Sequence, residues 1–395
     1  MSAGLEQGTV AAANRLTAGW VERLAGTGST VLSGAGAWPL LALLAAAAAD
    51  PARAELAAAV GVPAEGAEAR ARELLAAVAA AEGMDGAFGV WTRADLPVAD
   101  WWRQHAPSGV HGTLTGDPAT DQGVLDAWAA GHTRGLIPRM PVAVGPDTPA
   151  VLATALTAVT TWPEPFRDTP LRSDEGPWSR PAPIAGLVRT DRDLGAVTVA
   201  RTSAGPVTRY AVAGAGDFDV HLVLGEPGAR PGAILAAAVR GEGTPVPGAE
   251  LLANGAGGPG LRVTEESSFD TRPRVRATTV RFTVAAEHDL LARADLFGLA
   301  AAAREGAFPG LSPVPLRIGA ARQAAMATFT AEGFKAAAVT AAMMLVGMPS
   351  GTAPTLAVTF DRPFGFVVTH RRSGLVLFAG WVAEPEPYPP DTGPW

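Results

Sequence analysis

The stretch that decides the fold of this chain begins with Glu332-Gly333-Phe334-Lys335 and ends with Phe360-Asp361-Arg362-Pro363-Phe364. Between these ends lie the run Ala336-Ala337-Ala338-Val339-Thr340-Ala341-Ala342 and, at 347–354, a segment rich in glycine, proline, serine and threonine. By intrinsic propensity alone, residues 334–346 indicate a buried helix. The sequence on both sides of this run indicates otherwise, and that context decides the fold.

The composition is that of a folded protein with a sizeable core. Of the 395 residues, 48% are hydrophobic and 17% are charged, so the chain is too apolar to be disordered. The net charge of −7 and the lack of clustered lysine and arginine argue against a nucleic-acid partner. Without cysteine the chain has no disulfide, catalytic thiolate or cysteine-bound metal, and it fits a reducing compartment.

The N-terminus and the apolar segments show no sign of export or of a membrane partner. Residues 1–8 lack a basic segment followed by an apolar run. The apolar run at 40–49 reaches only about half of a bilayer span. We expect a cytoplasmic protein with no membrane partner, and a monomer.

Hydrophobic periodicity predicts a helix-rich first half and a strand-rich second half. We expect helices at 11–25, 38–49, 52–60, 65–81, 98–105, 117–133, 232–239 and 289–298, with Asp117 as the N-cap of the sixth. Strands are expected at 86–96, 151–161, 196–202, 207–213, 218–224, 277–285, 325–329, 356–360, 365–369 and 375–382. No long polar linker divides the chain, so we expect one mixed α+β domain at 1–383 and a proline-rich tail at 384–395.

Motifs of common enzymes and metal sites are missing from the sequence. It has no Gly-x-Ser-x-Gly, His-Glu-x-x-His or Gly-Lys-Ser/Thr motif. No two of its six histidines are spaced to bind a metal from one helix face. We therefore expect no catalytic residues, no metal, no cofactor and no enzymatic activity.

Several separate segments resemble landmarks of the serpins, a family of conformational protease inhibitors, and they occur in serpin order. They are Leu32-Ser33 with the run 40–49, Leu125-Asp126-Ala127-Trp128 with Thr133 and Gly135-Leu136-Ile137, the segments 152–166, 282–298 and 316–332, and Phe364, Phe378-Ala379-Gly380 and Pro385. The likeness covers 14–385. The chain departs from the family at Gly36 (a serine in the family), Thr154 (asparagine), Gln323 (often histidine), Ala331 (often acidic) and Phe334 (a small residue).

The resemblance implies an α+β, serpin-like fold and a set of working residues. The fold would have a large mixed five-stranded main sheet, additional sheets, about eight to nine helices and an exposed C-terminal reactive loop at about 332–358. The implied hinge consists of Glu332, Gly333, Phe334, Lys335, Ala336, Ala337, Ala338, Val339 and Thr340. The implied shutter and breach contain Ser33, Thr154, Trp162 and Gln323. A prokaryotic, intracellular type of serpin would fit the composition.

The function implied by the resemblance is inhibition of a serine protease that attacks the loop as a substrate. The protease forms an acyl-enzyme, and the freed loop inserts into the main sheet as a new strand. The usual loop length places the cleaved bond at Gly347-Met348, with Leu345 and Val346 as rival primary residues. Since no lysine or arginine lies between Ala336 and Asp361, we expect an elastase-, subtilisin- or chymotrypsin-like target with a small or apolar primary pocket.

Phe334, together with the departures at Thr154 and Gly36, leaves a second function open. In an inserted strand Phe334, Ala336, Ala338, Thr340, Ala342, Met344 and Val346 would share one face. Overpacking by the phenylalanine ring would cost about 1–3 kcal/mol and slow insertion, so that the protease escapes. The alternative is a non-inhibitory serpin-like protein, a binding or chaperone-like module whose loop is cleaved as a simple substrate.

Overall fold

The computed structural model describes residues 5–24, 26–172, 176–304, 307–334 and 351–389. Within these ranges the helices are α1 (Gln7–Glu22), α2 (Gly34–Ala47), α3 (Ala52–Val60), α4 (Ala67–Ala80), α5 (Asp100–His105), α6 (Pro118–His132), α7 (Pro231–Arg240), α8 (Gly248–Ala253) and α9 (Ala294–Phe297). Short 3-10 turns lie at Leu194–Ala196 and Leu291–Arg293.

The strands concentrate in the second half of the chain, as predicted. They are β1 (Thr30–Leu32), β2 (Met84–Arg93), β3 (His111–Leu114), β4 (Ala150–Ala158), β5 (Thr160–Thr161), β6 (Arg167–Leu171), β7 (Ile184–Asp191), β8 (Val197–Thr202), β9 (Gly205–Ala213), β10 (Phe218–Leu224), β11 (Val246–Pro247), β12 (Leu261–Ser268), β13 (Arg274–Val280), β14 (Phe282–Asp289), β15 (Ala320–Phe329), β16 (Gly333–Phe334), β17 (Gly351–Thr359), β18 (Phe364–His370) and β19 (Val376–Val382).

These strands form three sheets. In the main sheet, β3, β2, β4, β15 and β14 lie side by side, and the short strands β16 and β5 extend it beyond β4. This agrees with the five-stranded main sheet expected above. The second sheet has the order β1-β19-β18-β10-β9-β8-β11, and the third has the order β12-β17-β13-β7-β6.

The main core fills the space between the main sheet, the second sheet and the first helices. Helix α2 is buried along nearly its whole length, because its alanine- and leucine-rich sequence has no polar face to turn to water. A smaller core lies on the opposite face of the main sheet, where Leu125 and Ala129 of α6 pack against Trp91 and Val151. The main sheet is therefore buried on both faces.

Helix α6 begins as the sequence predicted. The side chain of Asp117 accepts a hydrogen bond from the backbone N–H of Thr120 at 2.8 Å, and Pro118 occupies the first turn. Because both signals are local, they determine the start of this helix wherever it packs.

The structure corrects several boundaries predicted from the sequence. The strand expected at 277–285 is two strands, β13 and β14, because the chain passes at Arg281 from the third sheet into the main sheet. Both ends of the loop expected at about 332–358 are strands instead, since Gly333–Phe334 and Gly351–Thr359 pair with neighbouring strands. The start of the expected tail at 384–395 packs onto β7, where Ala185 donates a backbone hydrogen bond to Glu386.

Candidate functional site

After β15 the chain reverses direction in a tight turn at 330–333, the hinge turn. The backbone N–H of Thr330 donates to the carbonyl of Gly333 at 2.8 Å, and the Thr330 hydroxyl bonds the same residue. From the other side, Trp162 and Phe166 donate backbone hydrogen bonds to the carbonyls of Glu332 and Ala331, at 2.9 and 2.8 Å. The hinge turn is thus held by bonds within itself and by the segment that follows β5.

Residues Gly333 and Phe334 lie inside the main sheet. They form β16, which pairs with Phe329 of β15 on one side and with Thr160 and Thr161 of β5 on the other. At Gly333 a Cβ atom would lie 2.2 Å from the carbonyl oxygen of Thr160, so this close approach of two backbones requires glycine. The ring of Phe334 is fully buried. The large residue that the sequence marks as an obstacle to insertion is therefore already in place.

An aromatic cluster supports the hinge turn. The indole of Trp162 donates to the carbonyl of Thr330 at 3.1 Å, and its ring lies 5.0 Å from that of Phe329. Phe166 also packs edge-on against Phe329, with 5.4 Å between ring centroids. Trp162, expected at the breach, thus contacts the hinge turn directly. Phe166 and Thr330 were not singled out from the sequence, although Phe166 ends the segment 152–166 that resembles a serpin landmark.

A buried arginine fixes the position of Phe166. The guanidinium of Arg189 lies 4.7 Å from the centre of the Phe166 ring and 5.5 Å from that of Tyr210. It donates to the Tyr210 hydroxyl at 2.9 Å and to Asp191 at 3.1 Å. Burial raises the pKa of Tyr210, so this hydroxyl stays protonated while it accepts the bond. The charge of Arg189 is therefore compensated in place.

The predicted shutter residues Ser33, Thr154 and Gln323 form one buried hydrogen-bond network. The carboxamide of Gln323 accepts from the backbone N–H of Ser33 at 2.8 Å and donates to the Ser33 carbonyl at 2.9 Å. Its other contact is a bond donated to the Thr154 hydroxyl at 3.2 Å. The Ser33 hydroxyl donates to the carbonyl of Leu377 in β19 at 2.6 Å. This network joins β4, β15, the start of α2 and the second sheet.

Two departures from the family pattern, Gly36 and Gln323, compensate each other. A Cβ atom at Gly36 would lie 2.6 Å from Leu156 and 3.1 Å from the Gln323 amide nitrogen. The space that a serine side chain would need is therefore occupied by Leu156 and Gln323. A neutral histidine offers one donor and one acceptor, whereas the carboxamide makes three contacts here.

Strands β4 and β15 meet along the line that we call the seam. They pair in parallel over seven residues, from Ala320 opposite Val151 to Met326 opposite Thr157. Small side chains such as Ala153, Ala155 and Ala324 provide little cross-strand packing. Parallel pairing is also slightly weaker per residue than antiparallel pairing. The seam is therefore a weak line in the main sheet, closed by the bond between Gln323 and Thr154.

The chain returns to the described structure at Gly351, in the third sheet. There β17 pairs antiparallel with β12 from Ser268 opposite Gly351 to Leu261 opposite Val358, and in parallel with β13 from Arg274 opposite Thr355. Residues Lys335, Ala336, Ala337, Ala338, Val339, Thr340, Leu345, Val346, Gly347 and Met348 lie outside the described residues. The hinge and the reactive bond predicted at those positions remain predictions. Of the segment 334–346 interpreted above as a possible helix, the described part, Phe334, is strand.

The described residues offer neither a metal site nor a membrane span. Over the described ranges, no group of three or more histidine, aspartate or glutamate side chains is placed to bind a metal ion. No helix in that same part of the chain is long and apolar enough to cross a membrane.

Comparison with known proteins identifies the fold. Residues 274–385 match the family model described as Serpin (serine protease inhibitor). No curated protein sequence matches the chain significantly. Serpin48, described as a highly specific serpin of the insect Tenebrio molitor, superposes with a TM-score of 0.72 at 16% identity over 96% of this chain and 99% of its own.

Two other solved structures show the same likeness. Native protease nexin-1 with heparin has a TM-score of 0.70 at 16% identity and covers 96% of this chain and 100% of its own. Human thyroxine-binding globulin, complexed with its hormone, has a TM-score of 0.72 at 14% identity and covers 97% of this chain and 99% of its own. The chain has the serpin fold, and its C-terminal part carries the sequence pattern of that family.

Proposed function

We propose that this serpin-fold chain inhibits a serine protease as a single-use substrate, by cleavage within 335–350 and insertion of the freed segment into the main sheet. The match of residues 274–385 to serine protease inhibitors supports inhibition in general terms. The observation that carries the mechanism is the position of β16 between β5 and β15. A strand continuing from Phe334 would enter the seam, antiparallel to both β4 and β15.

The strand register favours this path. Strands β4 and β15 pair in the register that places Gln323 opposite Thr154. The same register, extended along the chain, places Phe329 opposite Thr160, and Phe334 pairs with Phe329 on one side and with Thr160 on the other. Continued without a break, this register brings Thr340 between Thr154 and Gln323. Thr340 is the one polar residue on its face between Phe334 and Val346. Its hydroxyl would replace the bond that now closes the seam.

The energetic balance favours insertion once the segment is cut. Separating β4 from β15 breaks one parallel ladder of seven residue pairs. The inserted strand forms two antiparallel ladders in its place, and each net hydrogen bond contributes about 0.5–1.5 kcal/mol. In the intact chain, β17 holds the far end of the segment in the third sheet. The intact protein would therefore be a trapped state that cleavage releases.

The proposed target is a protease with a small or apolar primary pocket. We place the cleaved bond at Gly347-Met348, with Leu345 and Val346 as rivals, because 336–360 contains no cationic residue that a trypsin-like pocket could bind. An intracellular protease fits the absence of cysteine. We propose neither a catalytic residue nor a cofactor for this chain.

The test is incubation with subtilisin, pancreatic elastase and chymotrypsin, followed by electrophoresis after boiling in detergent. The proposal expects a covalent complex with at least one of these proteases, and mass spectrometry should place the cut at or next to Gly347-Met348. Cleavage within 335–350 by all three without any complex would contradict inhibition of this protease class.

The second candidate is a non-inhibitory serpin-fold protein that serves as a binding or chaperone-like module. The observation that favours it is the closed seam, in which Gln323 makes three contacts and stabilises the uncleaved sheet. If this candidate is correct, cleavage leaves the melting temperature unchanged, because no strand is added. A large rise in melting temperature excludes it.

A further inference from the structure

Residues 269–273 connect β12 to β13, and we call this connection the arch. Because β17 lies between these two strands, the arch crosses over the start of β17. Ser268 pairs with Gly351, and a Cβ atom at Gly351 would lie 3.0 Å from the methyl group of Thr271. The arch therefore touches the point where the chain enters the third sheet from residue 350.

The arch presents an aromatic ring to solvent. Phe269 is 55% exposed, more than Val124 at 40% or Val314 at 37%, the other exposed large hydrophobic residues in the described part of the chain. Single exposed hydrophobic residues are common and mean little by themselves. What distinguishes Phe269 is its position beside Gly351 and the rigidity of its support.

The support of Phe269 is a dense hydrogen-bonded turn. Asp270 accepts from the backbone N–H of Arg272 at 3.0 Å and from its guanidinium at 2.7 Å. The same carboxylate accepts from the guanidinium of Arg192 at 2.6 Å, and the Ser268 hydroxyl accepts from Arg274 at 2.7 Å. The backbone on both sides of Phe269 is thus ordered before any partner arrives, which lowers the entropy that binding must overcome.

The arch and Arg192 beside it form a charge cluster with a net charge of +1, two guanidinium groups against one carboxylate. Two arginines, Arg192 and Arg272, share the single carboxylate of Asp270, in a chain whose net charge is −7. The side chain of Arg272 is 77% exposed. An aromatic ring beside a charge cluster with one excess positive charge suits a partner surface that is apolar with acidic residues at its edge.

The arch lies close to the proposed cleavage site, so the protease that binds this site is the partner we consider. From Gly347 to Gly351 the chain can span at most about 14 Å. A protease bound at that bond would cover about 800 Å² of surface, a disc with a radius of roughly 16 Å. Phe269 follows the residue paired with Gly351. It falls inside this footprint if residues 347–351 take a compact path, and at its edge if they are fully extended.

We propose that the arch, with the exposed side chains of Phe269 and Arg272, is a docking surface for the protease that cleaves 335–350. This inference rests on the proposed function, because it assumes that a protease attacks this segment. It adds a source of specificity outside the segment itself. The partner surface would be an apolar patch with acidic residues, next to the active-site cleft of the protease.

The test compares the wild type with Phe269→Ala and with the control Val124→Ala on α6. Subtilisin, pancreatic elastase and chymotrypsin are each added at low concentration, and the second-order rate of loss of the intact chain is measured. A synthetic peptide of residues 335–350 provides the rate set by the segment alone. For at least one protease, Phe269→Ala should slow the reaction about tenfold, as loss of an interface hot spot does. Val124→Ala should react at the wild-type rate. Because the peptide lacks the arch, its cleavage rates show how fast each protease cuts the segment without any contribution from Phe269.

The failures of this inference and of the proposed function are distinguishable. If all three proteases consume Phe269→Ala and the wild type at rates within twofold, the arch is not a docking surface. If no protease forms a covalent complex, inhibition is wrong, yet the cleavage rates still report on the arch. Both variants replace exposed side chains, so equal melting temperatures will confirm that folding is unchanged.

Discussion

The ring of Phe334 lies 6.2 Å from the ring of Phe366, so the residue after the hinge glycine contacts the second sheet across the core. Phe334 therefore anchors the start of the segment 335–350 inside the protein. The sequence suggested that this ring would obstruct insertion. In the structure its burial is already complete before any cleavage.

Replacing the anchor should destabilise the intact protein. Phe334→Ala removes a fully buried ring, a change that typically costs about 3–5 kcal/mol. Phe269→Ala is the matched control, because that ring is 55% exposed. Urea denaturation should show a clear fall of the midpoint for Phe334→Ala and almost none for Phe269→Ala. Equal shifts for the two variants would show that Phe334 is not buried.

The bond between Gln323 and Thr154 should stabilise the closed seam. Thr154→Val removes the acceptor hydroxyl with little change of shape and leaves a buried N–H without its partner, which costs about 1–3 kcal/mol. The control is Thr157→Val on the same strand, since the buried Thr157 hydroxyl has no hydrogen-bond partner. The melting temperature of the intact protein should fall for Thr154→Val only. A similar fall for both would assign the effect to packing.

Thr340 should matter only after cleavage. If the register continues from Phe334, its hydroxyl reaches Thr154 and Gln323 in the inserted strand. Thr340→Val should then lower the melting temperature of the cleaved protein, because about one buried hydrogen bond is lost. Thr340→Ser should not lower it, because serine keeps the hydroxyl. The intact forms of the two variants should melt alike. Equal melting of the two cleaved variants would contradict this register.

Buried histidines should make the protein less stable in mild acid. Burial and the charge of Arg209 lower the pKa of His221 to about 3, although the charge of Asp219 acts in the opposite direction. An unfolded histidine has a pKa of about 6.5, so below that pH the unfolded chain binds a proton that the folded chain does not. The contribution of His221 is therefore complete above about pH 6.5 and is lost as the pH falls toward 3.

The measurement is the melting temperature at pH 7 and pH 5. His221→Gln should lose less stability between these values than the wild type, whereas the exposed control His132→Gln should behave like the wild type. Part of the acid sensitivity should remain, because burial also lowers the pKa of His288. If His221→Gln loses as much as the wild type, His221 is not buried in its neutral form.

The sequence predicted those features that depend on local signals. The start of α6 followed from Asp117 and Pro118, and β10 was predicted at its observed bounds, Phe218–Leu224. The resemblance named Ser33, Thr154 and Gln323 together, and the structure joins them by hydrogen bonds, while their role as a shutter stays a prediction. For α6 and β10 the residues that carry the signal lie within the element itself.

Features that depend on distant contacts could not be predicted. Strand β12 has a polar, glutamate-containing sequence, and it is a strand because it pairs with β17, about ninety residues later in the chain. The burial of Phe334 depends on Thr160, Phe329 and Phe366, which only the assembled sheets bring together. The arch could not be located without knowing that β17 lies between β12 and β13.

The central claim is that the cut segment becomes a strand of the main sheet, and the melting temperature before and after cleavage tests it most directly. The intact protein is cut once within 335–350 by a limiting amount of elastase and then heated. We predict a rise of more than about 10 °C, since each 1 kcal/mol shifts the melting temperature of a large domain by roughly 2–4 °C and the new strand adds several net hydrogen bonds. An unchanged or lower melting temperature would contradict the account.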